Sequence, residues 1–416
     1  MFRRVQVLVL CAVLVVAAFS TGLAFLFYLV YLMLLVVGGS YVLTRLGLAD
    51  LEAGYAVNRL HGHVGEQLRV TYTIRHSGRI PKPWLKVHNP TNLPSGLPGR
   101  AISLGARAER SWLVRLPLSR RGHYRIEPLV IGTGDPFGFF EASASVGHGA
   151  TVVVYPRIER LPRWRLPAAN LEGTRSTPVR TLQATPLATT IRPWAPGDSF
   201  NRIHWKTTAR YGEIQVKEFD LEQTADVWLV VDLERSIQAG SGDESTLEVA
   251  VRAAASIADR SILENRAVGL TVNGHRTTVL PADRGGRQHM KIMQVLAAVE
   301  ADGTTPIDET LVSTLPRLRR GMTLVVITPS RERDWVRPLA TLRSRGVGCV
   351  VVSLDADSFA AHARRLSGTV GEGTEDADLA DSARARATAL RHSLAEYDLA
   401  TYDVGAGRAL AEVLAG

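Results

Sequence analysis

Cysteine is nearly absent. The chain holds two in 416 residues, Cys11 and Cys349. Cys11 lies in an apolar run, and Cys349 in Gly348-Cys349-Val350-Val351-Val352, which reads as a buried strand. A disulfide scaffold is therefore not expected, in keeping with a reducing compartment. Also missing are a glycine-rich phosphate loop ending in Gly-Lys-Ser/Thr, a Gly-x-Ser-x-Gly elbow and a Cys–His pair of nucleophilic type. Gly132-Thr133-Gly134-Asp135 is too short to cradle a phosphate. These absences leave acyl and phosphoryl transfer without a motif, and no catalytic residue is assigned. With 46% hydrophobic and 21% charged residues the composition is globular. The formal charge of +9 suits an anionic lipid surface or an acidic protein. It would also suit nucleic acid, but no module for that accompanies it, so nucleic acid is not an expected partner.

Charge is missing altogether from Val5 to Leu43. A spanning helix needs about 20 apolar residues, so this run is long enough for two. Ser20-Thr21-Gly22 is the natural turn between them, and Gly38-Gly39-Ser40 would let the helices approach closely. Arg3 and Arg4 precede the run and Arg45 follows it. Positive flanks at both ends predict a transmembrane hairpin over residues 1–46 with everything after it in the cytoplasm, at the cell inner membrane. A cleaved leader ending near Ala17-Ala18 would still leave a second apolar span behind.

Residues 50–156 alternate in steps of two, as in Leu68-Arg69-Val70-Thr71-Tyr72-Thr73-Ile74, with turn residues between short runs. That pattern predicts a β-sandwich-like domain. From 157 to 224 it breaks into a linker with Pro162, Pro167, Pro178 and Pro186, followed by a basic segment. From 225 to 416 apolar strands alternate with helical patterns, beginning at Val227-Trp228-Leu229-Val230-Val231-Asp232. That alternation predicts a doubly wound α/β domain, with ligands expected beyond the strand ends at Asp232, Thr328 and Leu354-Asp355. The expected fold class is thus multidomain α+β.

The basic segment runs from Arg192 to Arg210. Pro196-Gly197 marks a turn, Asp198 or Ser199 is expected to cap a short helix that Gly212 ends, and Phe200, Ile203 and Trp205 are expected to pack inward. Arg192, Asp198, Arg202, His204, Trp205, Lys206 and Arg210 are the candidate partner-binding residues. A clasp in which the arginines pair with Asp198, Glu213, Glu218 and Asp220 is the competing explanation.

Three segments together resemble one family: Ser119-Arg120-Arg121-Gly122-His123-Tyr124, Gly134-Asp135-Pro136-Phe137-Gly138-Phe139-Phe140, and Pro196-Gly197-Asp198 leading through Ile203-His204-Trp205-Lys206 to Ala209-Arg210. The chain resembles the bacterial domain-of-unknown-function-58 family. That resemblance implies a membrane hairpin, a von Willebrand factor A-like C-terminal domain, and association with MoxR-type AAA+ ATPases and often with transglutaminase-like membrane proteins. It implies no established enzymatic activity. Domains like von Willebrand factor A often hold Mg²⁺ through Asp-x-Ser-x-Ser, a Thr and an Asp, hard oxygen donors for a hard cation. The matching residues here are Asp232, Glu234 and Ser236, with Thr304 or Thr305 as the threonine. Glu234 replaces the middle serine, Arg235 adds a positive charge, and Thr328-Pro329-Ser330 lacks the later acid, so the metal site is expected to be degenerate. The expected function is a membrane-anchored non-enzymatic scaffold or adaptor engaging a MoxR-type ATPase through its α/β domain. The alternative is a membrane-bound enzyme or a metal-dependent binding protein using the Asp232 loop.

Overall fold

The uncharged N-terminal run folds as two helices, α1 (Phe2–Thr21) and α2 (Ala24–Gly47), which pack on each other. The break falls at Gly22, whose φ of +69° is open to glycine at no steric cost. Of the two, α2 is long and apolar enough to cross a membrane, and Val9–Thr21 forms a shorter apolar helix. Most of their large apolar side chains, among them Val13, Phe19, Phe25, Leu32 and Leu35, are exposed. This computed structural model describes residues 2–164, 166, 190–195, 198, 200–218, 226–367 and 375–415. Pro167, Pro178 and Pro186 of the expected linker, the expected Pro196-Gly197 turn, Ser199 and Asp220 lie outside the described residues. The contacts divide the chain into two units, Met1–Ile158 with Met293–Ala298, and Glu159–Ile292 with Val299–Gly416.

In the first unit ten strands follow the helices: β1 (Leu51–Val57), β2 (His61–His63), β3 (Gln67–His76), β4 (Lys82–His88), β5 (Arg100–Leu104), β6 (Glu109–Pro117), β7 (Gly122–Ile126), β8 (Leu129–Gly134), β9 (Glu141–Val146) and β10 (Ala150–Tyr155). They form three sheets, ordered β1-β3-β6, β2-β10-β7 and β5-β4-β8-β9. The alternation in β3 buries Leu68, Val70, Tyr72 and Ile74 and exposes Arg69 and Thr71. Those four residues share one core with Leu85 and Val87 of β4, Ile126 of β7, Ile131 of β8 and Val152 of β10. The end of α2 is fastened to this body. Lys82, itself buried, donates from Nζ to the Leu46 carbonyl at the helix C-terminus, where a cation is favoured.

In chain order the rest comprises β11 (Thr190–Pro193), α3 (Trp205–Tyr211), β12 (Gln215–Glu218), β13 (Val227–Asp232), β14 (Gly240–Ser241), β15 (Glu244–Ser245), α4 (Thr246–Leu263), β16 (Val268–Asn273), β17 (Thr277–Asp283), α5 (Gly285–Ala298), α6 (Ile307–Thr314), β18 (Thr323–Thr328), α7 (Val336–Ser344), β19 (Gly348–Leu354), α8 (Ala356–Ser367), α9 (Glu375–Glu396), β20 (Ala400–Val404) and α10 (Leu410–Val413). Six of these strands make one sheet in the order β17-β16-β13-β18-β19-β20. All its pairings are parallel except that of the edge strand β17. β13, β16 and β18 are buried along their whole length, as strands covered on both faces are. Trp228, Val230, Leu324, Val326 and Val351 pack against Leu311 of α6, Leu339 of α7 and Leu394 of α9. The alternate residues Leu229 and Val231, also buried, point to the other face, and α4 brings Ala250, Ala253 and Ala254 against the central strands. The architecture is mixed α+β, with several sheets and an apolar helix near its N-terminus.

Candidate functional site

Asp232, Asn273 and Thr328 end three adjacent parallel strands, so the sheet register alone brings them together. All three are fully buried. Thr328 Oγ1 donates to Asp232 Oδ2 at 2.6 Å, and the Glu234 amide donates to Oδ1 at 3.2 Å. Burial pushes the Asp232 carboxyl up to about 6 even though both hydrogen bonds lower it. Asp232 therefore holds its own loop, the Glu234 turn, in place. Beyond it, Ser236 Oγ donates to the Glu234 carboxylate. Gly303 locks to the same turn, its amide on Leu233 O at 3.0 Å and its carbonyl receiving the Arg235 amide at 2.9 Å. A side chain at Gly303 would come within 2.4 Å of Asn273 O, which accounts for the glycine. Thr304 is exposed, and Thr305 takes part through its carbonyl, which accepts from Asn273 Nδ2.

These residues do not fit a resident Mg²⁺. The buried acid is already bonded at both oxygens, and the strand-end Thr328-Pro329-Ser330 brings no second acid. Asn273 Oδ1 is buried without a hydrogen-bond partner, but one amide oxygen does not complete an octahedral oxygen shell. Among the described residues no group of three or more His, Cys, Asp or Glu side chains is arranged to hold a metal.

The basic segment folds as a small strand–helix–strand piece. β11 and β12 pair antiparallel, Ile191 opposite Lys217 and Arg192 opposite Val216. A short 3-10 turn at Phe200–Arg202 leads into α3 between them. The cap of α3 is neither Asp198 nor Ser199 but His204, whose Nδ1 accepts from the Thr207 amide at 3.2 Å and lies 2.6 Å from Thr207 Oγ1. Asp198 is occupied elsewhere. Its carboxylate receives both guanidinium nitrogens of Arg192 at 2.7 and 2.8 Å, and the Ala195 amide at 2.9 Å. Gly212 ends the helix at a φ of +77°, as expected.

The expected inward packing holds for one of three residues. Ile203 is buried and bridges to Val216. Phe200 and Trp205 instead stand 71% and 69% exposed, joined by Tyr211 at 72%. No residue of α3 is buried. Lys206 and Arg210 are exposed on the same helix. Exposed aromatic rings and cations thus lie together on this short helix and the turn before it. Arg202 lies in the 3-10 turn, and its side chain is outside the described residues.

At the expected strand end of Leu354-Asp355 lies a cleft of about 730 Å³ at the carboxyl ends of β19 and β20, lined by Arg331, Asp355, Asp357, Arg391 and Asp403 among others, of which sequence reasoning had singled out only Asp355. Strand ends of this kind are where open α/β sheets bind ligands. Its charges are matched internally. Arg331 bridges Asp355 and Asp357, each at 2.6 Å, and Arg391 meets Asp403 at 2.9 Å. Of the three expected strand ends, the one at Asp355 opens into a cleft, while Asp232 and Thr328 close on each other.

The chain is similar to two uncharacterized bacterial proteins. YeaD of Bacillus subtilis (strain 168) is 27% identical over 317 residues, which cover 72% of this chain and 75% of that protein. Rv1480 of Mycobacterium tuberculosis (strain ATCC 25618 / H37Rv) is 32% identical over 173 residues, 39% of this chain and 53% of that protein, so the match spans about half the relative's length. Among solved structures, the CARDB domain of a Pyrococcus furiosus protein is 21% identical and covers 25% of this chain and 92% of its own, at a TM-score of 0.20. Proximal thread matrix protein 1 from the mussel byssus is 13% identical and covers 31% of this chain and 38% of its own, at 0.26. At such TM-scores neither likeness bears on the fold. The family model described as "Protein of unknown function DUF58" matches residues 190–357, from β11 through the start of α8.

Proposed function

We propose that this protein is a membrane-anchored, non-enzymatic docking protein that engages a partner through the aromatic and basic face of α3. The observation that carries this reading is that Phe200, Trp205 and Tyr211 are each about 70% exposed beside Lys206 and Arg210. A helix with no buried residue gains little from its own unit, and Trp, Tyr and Arg are the side chains that dominate protein interfaces. The cations select a partner with acidic groups. The family resemblance names a MoxR-type AAA+ ATPase as that partner, with a transglutaminase-like membrane protein as a further neighbour. The sheet order, with its central β13 and antiparallel edge β17, supports a von Willebrand factor A-like domain as the scaffold. The apolar, largely exposed α2, paired with α1 and followed by a chain with basic residues at its start, supports a hairpin anchor with the remaining domains in the cytoplasm.

The test is co-expression with a MoxR-type ATPase of the same organism, followed by gel filtration in detergent. The wild type is expected to carry the ATPase with it. The triple variant Trp205→Ala, Lys206→Glu, Arg210→Glu is expected to lose it. Equal retention by both overturns the reading.

A further inference from the structure

The segment Gly134-Asp135-Pro136-Phe137-Gly138-Phe139-Phe140 is a turn between β8 and β9, and two contacts set its direction along α2. At the helix end Gly47 lies directly on Thr133, where an added Cβ would be 2.6 Å from the threonine Cγ2. Six residues earlier the ring of Tyr41 meets Phe140 edge to face, centroids 5.6 Å apart. Six helical residues are about 9 Å of axis. The turn therefore leaves the sheet at the end of α2 and runs back beside it, toward its apolar middle.

This turn is rigid. Asp135 is buried and accepts the amides of Phe137 at 2.9 Å and Phe140 at 2.5 Å. Burial alone would raise its pKa, but the amides of Phe140, Phe139 and Phe137 outweigh that and hold it below the ordinary carboxylate value. The Gly138 amide closes the turn on Asp135 O at 3.2 Å, with Gly138 at a φ of +75°. What this frame presents is apolar. Phe137 and Phe139 stack at 5.6 Å, and Phe137 is 55% exposed. Trp84, partly exposed, lies against Gly134. Arg45 sits over the Tyr41 ring at 5.7 Å. A frame that spends a buried carboxylate to hold Phe137 outward, with the half-buried Phe139 stacked on it, is wasteful in water. Aromatic rings with an arginine at the end of a spanning helix are what the headgroup level of a bilayer accommodates.

We infer that the Gly134–Phe140 turn is a lipid-interface plug: Phe137 and Phe139 enter the headgroup–acyl boundary beside α2 and fix the depth at which the β-rich body stands on the membrane. The inference rests on α2 being the membrane span. The occupant is the bilayer because the turn runs alongside that helix and shares an aromatic contact with it. Its carboxylate is turned inward onto amides, so no acid of the turn itself faces lipid.

The test uses the full chain with Cys11→Ser, reconstituted in phosphatidylcholine vesicles containing a minority of phosphatidylglycerol. Cys349 stays, because its thiol is buried and pushed up to about 12. Nitroxide labels go on Phe137→Cys, on Leu35→Cys of the exposed α2 surface and on Arg69→Cys of β3. Power-saturation electron paramagnetic resonance then compares access of oxygen and of a water-soluble nickel complex. The label at 137 is expected at headgroup depth, with an oxygen-to-nickel ratio several-fold above that at 69 and below that at 35. A label at 137 as open to nickel as the one at 69, with 35 still deep, overturns the plug and leaves the span intact. A label at 137 closed to both probes points to a second copy or a protein partner over the turn, and also overturns it. Nickel access at 35 removes the span and the plug together.

Discussion

Thr328 Oγ1 donates a hydrogen bond to Asp232 Oδ2 across two neighbouring parallel strands, at 2.6 Å and wholly out of water. Burial makes this acid a cost to the fold once it is ionised. Its carboxyl sits at about 6 in the folded chain against an ordinary 3.8. Between those values the folded state keeps a proton that the unfolded state has lost, so stability falls as pH rises from about 4 to about 6 and is level above. Two pH units correspond to about 3 kcal/mol. Asp232→Asn removes this titration. The alkylation rate of buried Cys349, one strand beyond Thr328 in the sheet, reports opening. The ratio of variant to wild-type rate is expected to fall as pH goes from 4 to 7. A ratio constant with pH would show that Asp232 titrates like an exposed acid.

The exposed ring just before α3 should be dispensable to the fold. Phe200→Ala removes an exposed ring and is expected to change stability by no more than about 0.5 kcal/mol. Ile203→Ala, three residues on and buried, is expected to cost about 2 kcal/mol or more. Trypsin cutting at Lys206 and Arg210 measures the difference. It should be unchanged in the first variant and at least tenfold faster in the second. Equal acceleration by both would mean that Phe200 is packed in solution.

The seat of α2 on the β-rich body should be sensitive to a single methyl. Gly47→Ala drives a Cβ into Thr133, whose side chain is buried and donates to the Trp84 carbonyl. A loss of about 1–3 kcal/mol is expected, as for overpacking elsewhere. Adding Thr133→Ala should recover much of it, because the two changes share one contact. Thermal unfolding in detergent, followed by the near-ultraviolet signal of the aromatic cluster, gives the cycle. Additive losses would show that helix and strand do not touch there.

Strands buried on both faces were legible because they need nothing but apolar residues in a row: β13, β16, β18 and β19 fall where Val, Leu and Ile run together. The edge strand β17 was not, since one face is open and Pro281 interrupts its pattern. The long helix α9 leaves little apolar signal in the sequence, because Leu390 and Leu394 carry its contact with the core. At the candidate site, the register that gathers Asp232, Asn273 and Thr328 is a property of the sheet and not of any local motif. The aromatics of α3 were misjudged for a plain reason. A ring is assigned to a core by default, and no local pattern tells a packed Trp from an exposed one. His204 as a cap was hidden because Ser, Thr, Asp and Asn are the residues normally looked for there.

The pairing of β13 with β18 also sets a timetable. β18 leaves the ribosome about a hundred residues after β13, an interval of about 5–20 s at ordinary rates of synthesis. Until then Val227-Trp228-Leu229-Val230-Val231 has β16 on one flank and no strand on the other, with a face of sheet awaiting its helices. The nascent chain thus carries this apolar strand unfinished, and the cell must keep it from other chains for as long as translation of β18 takes.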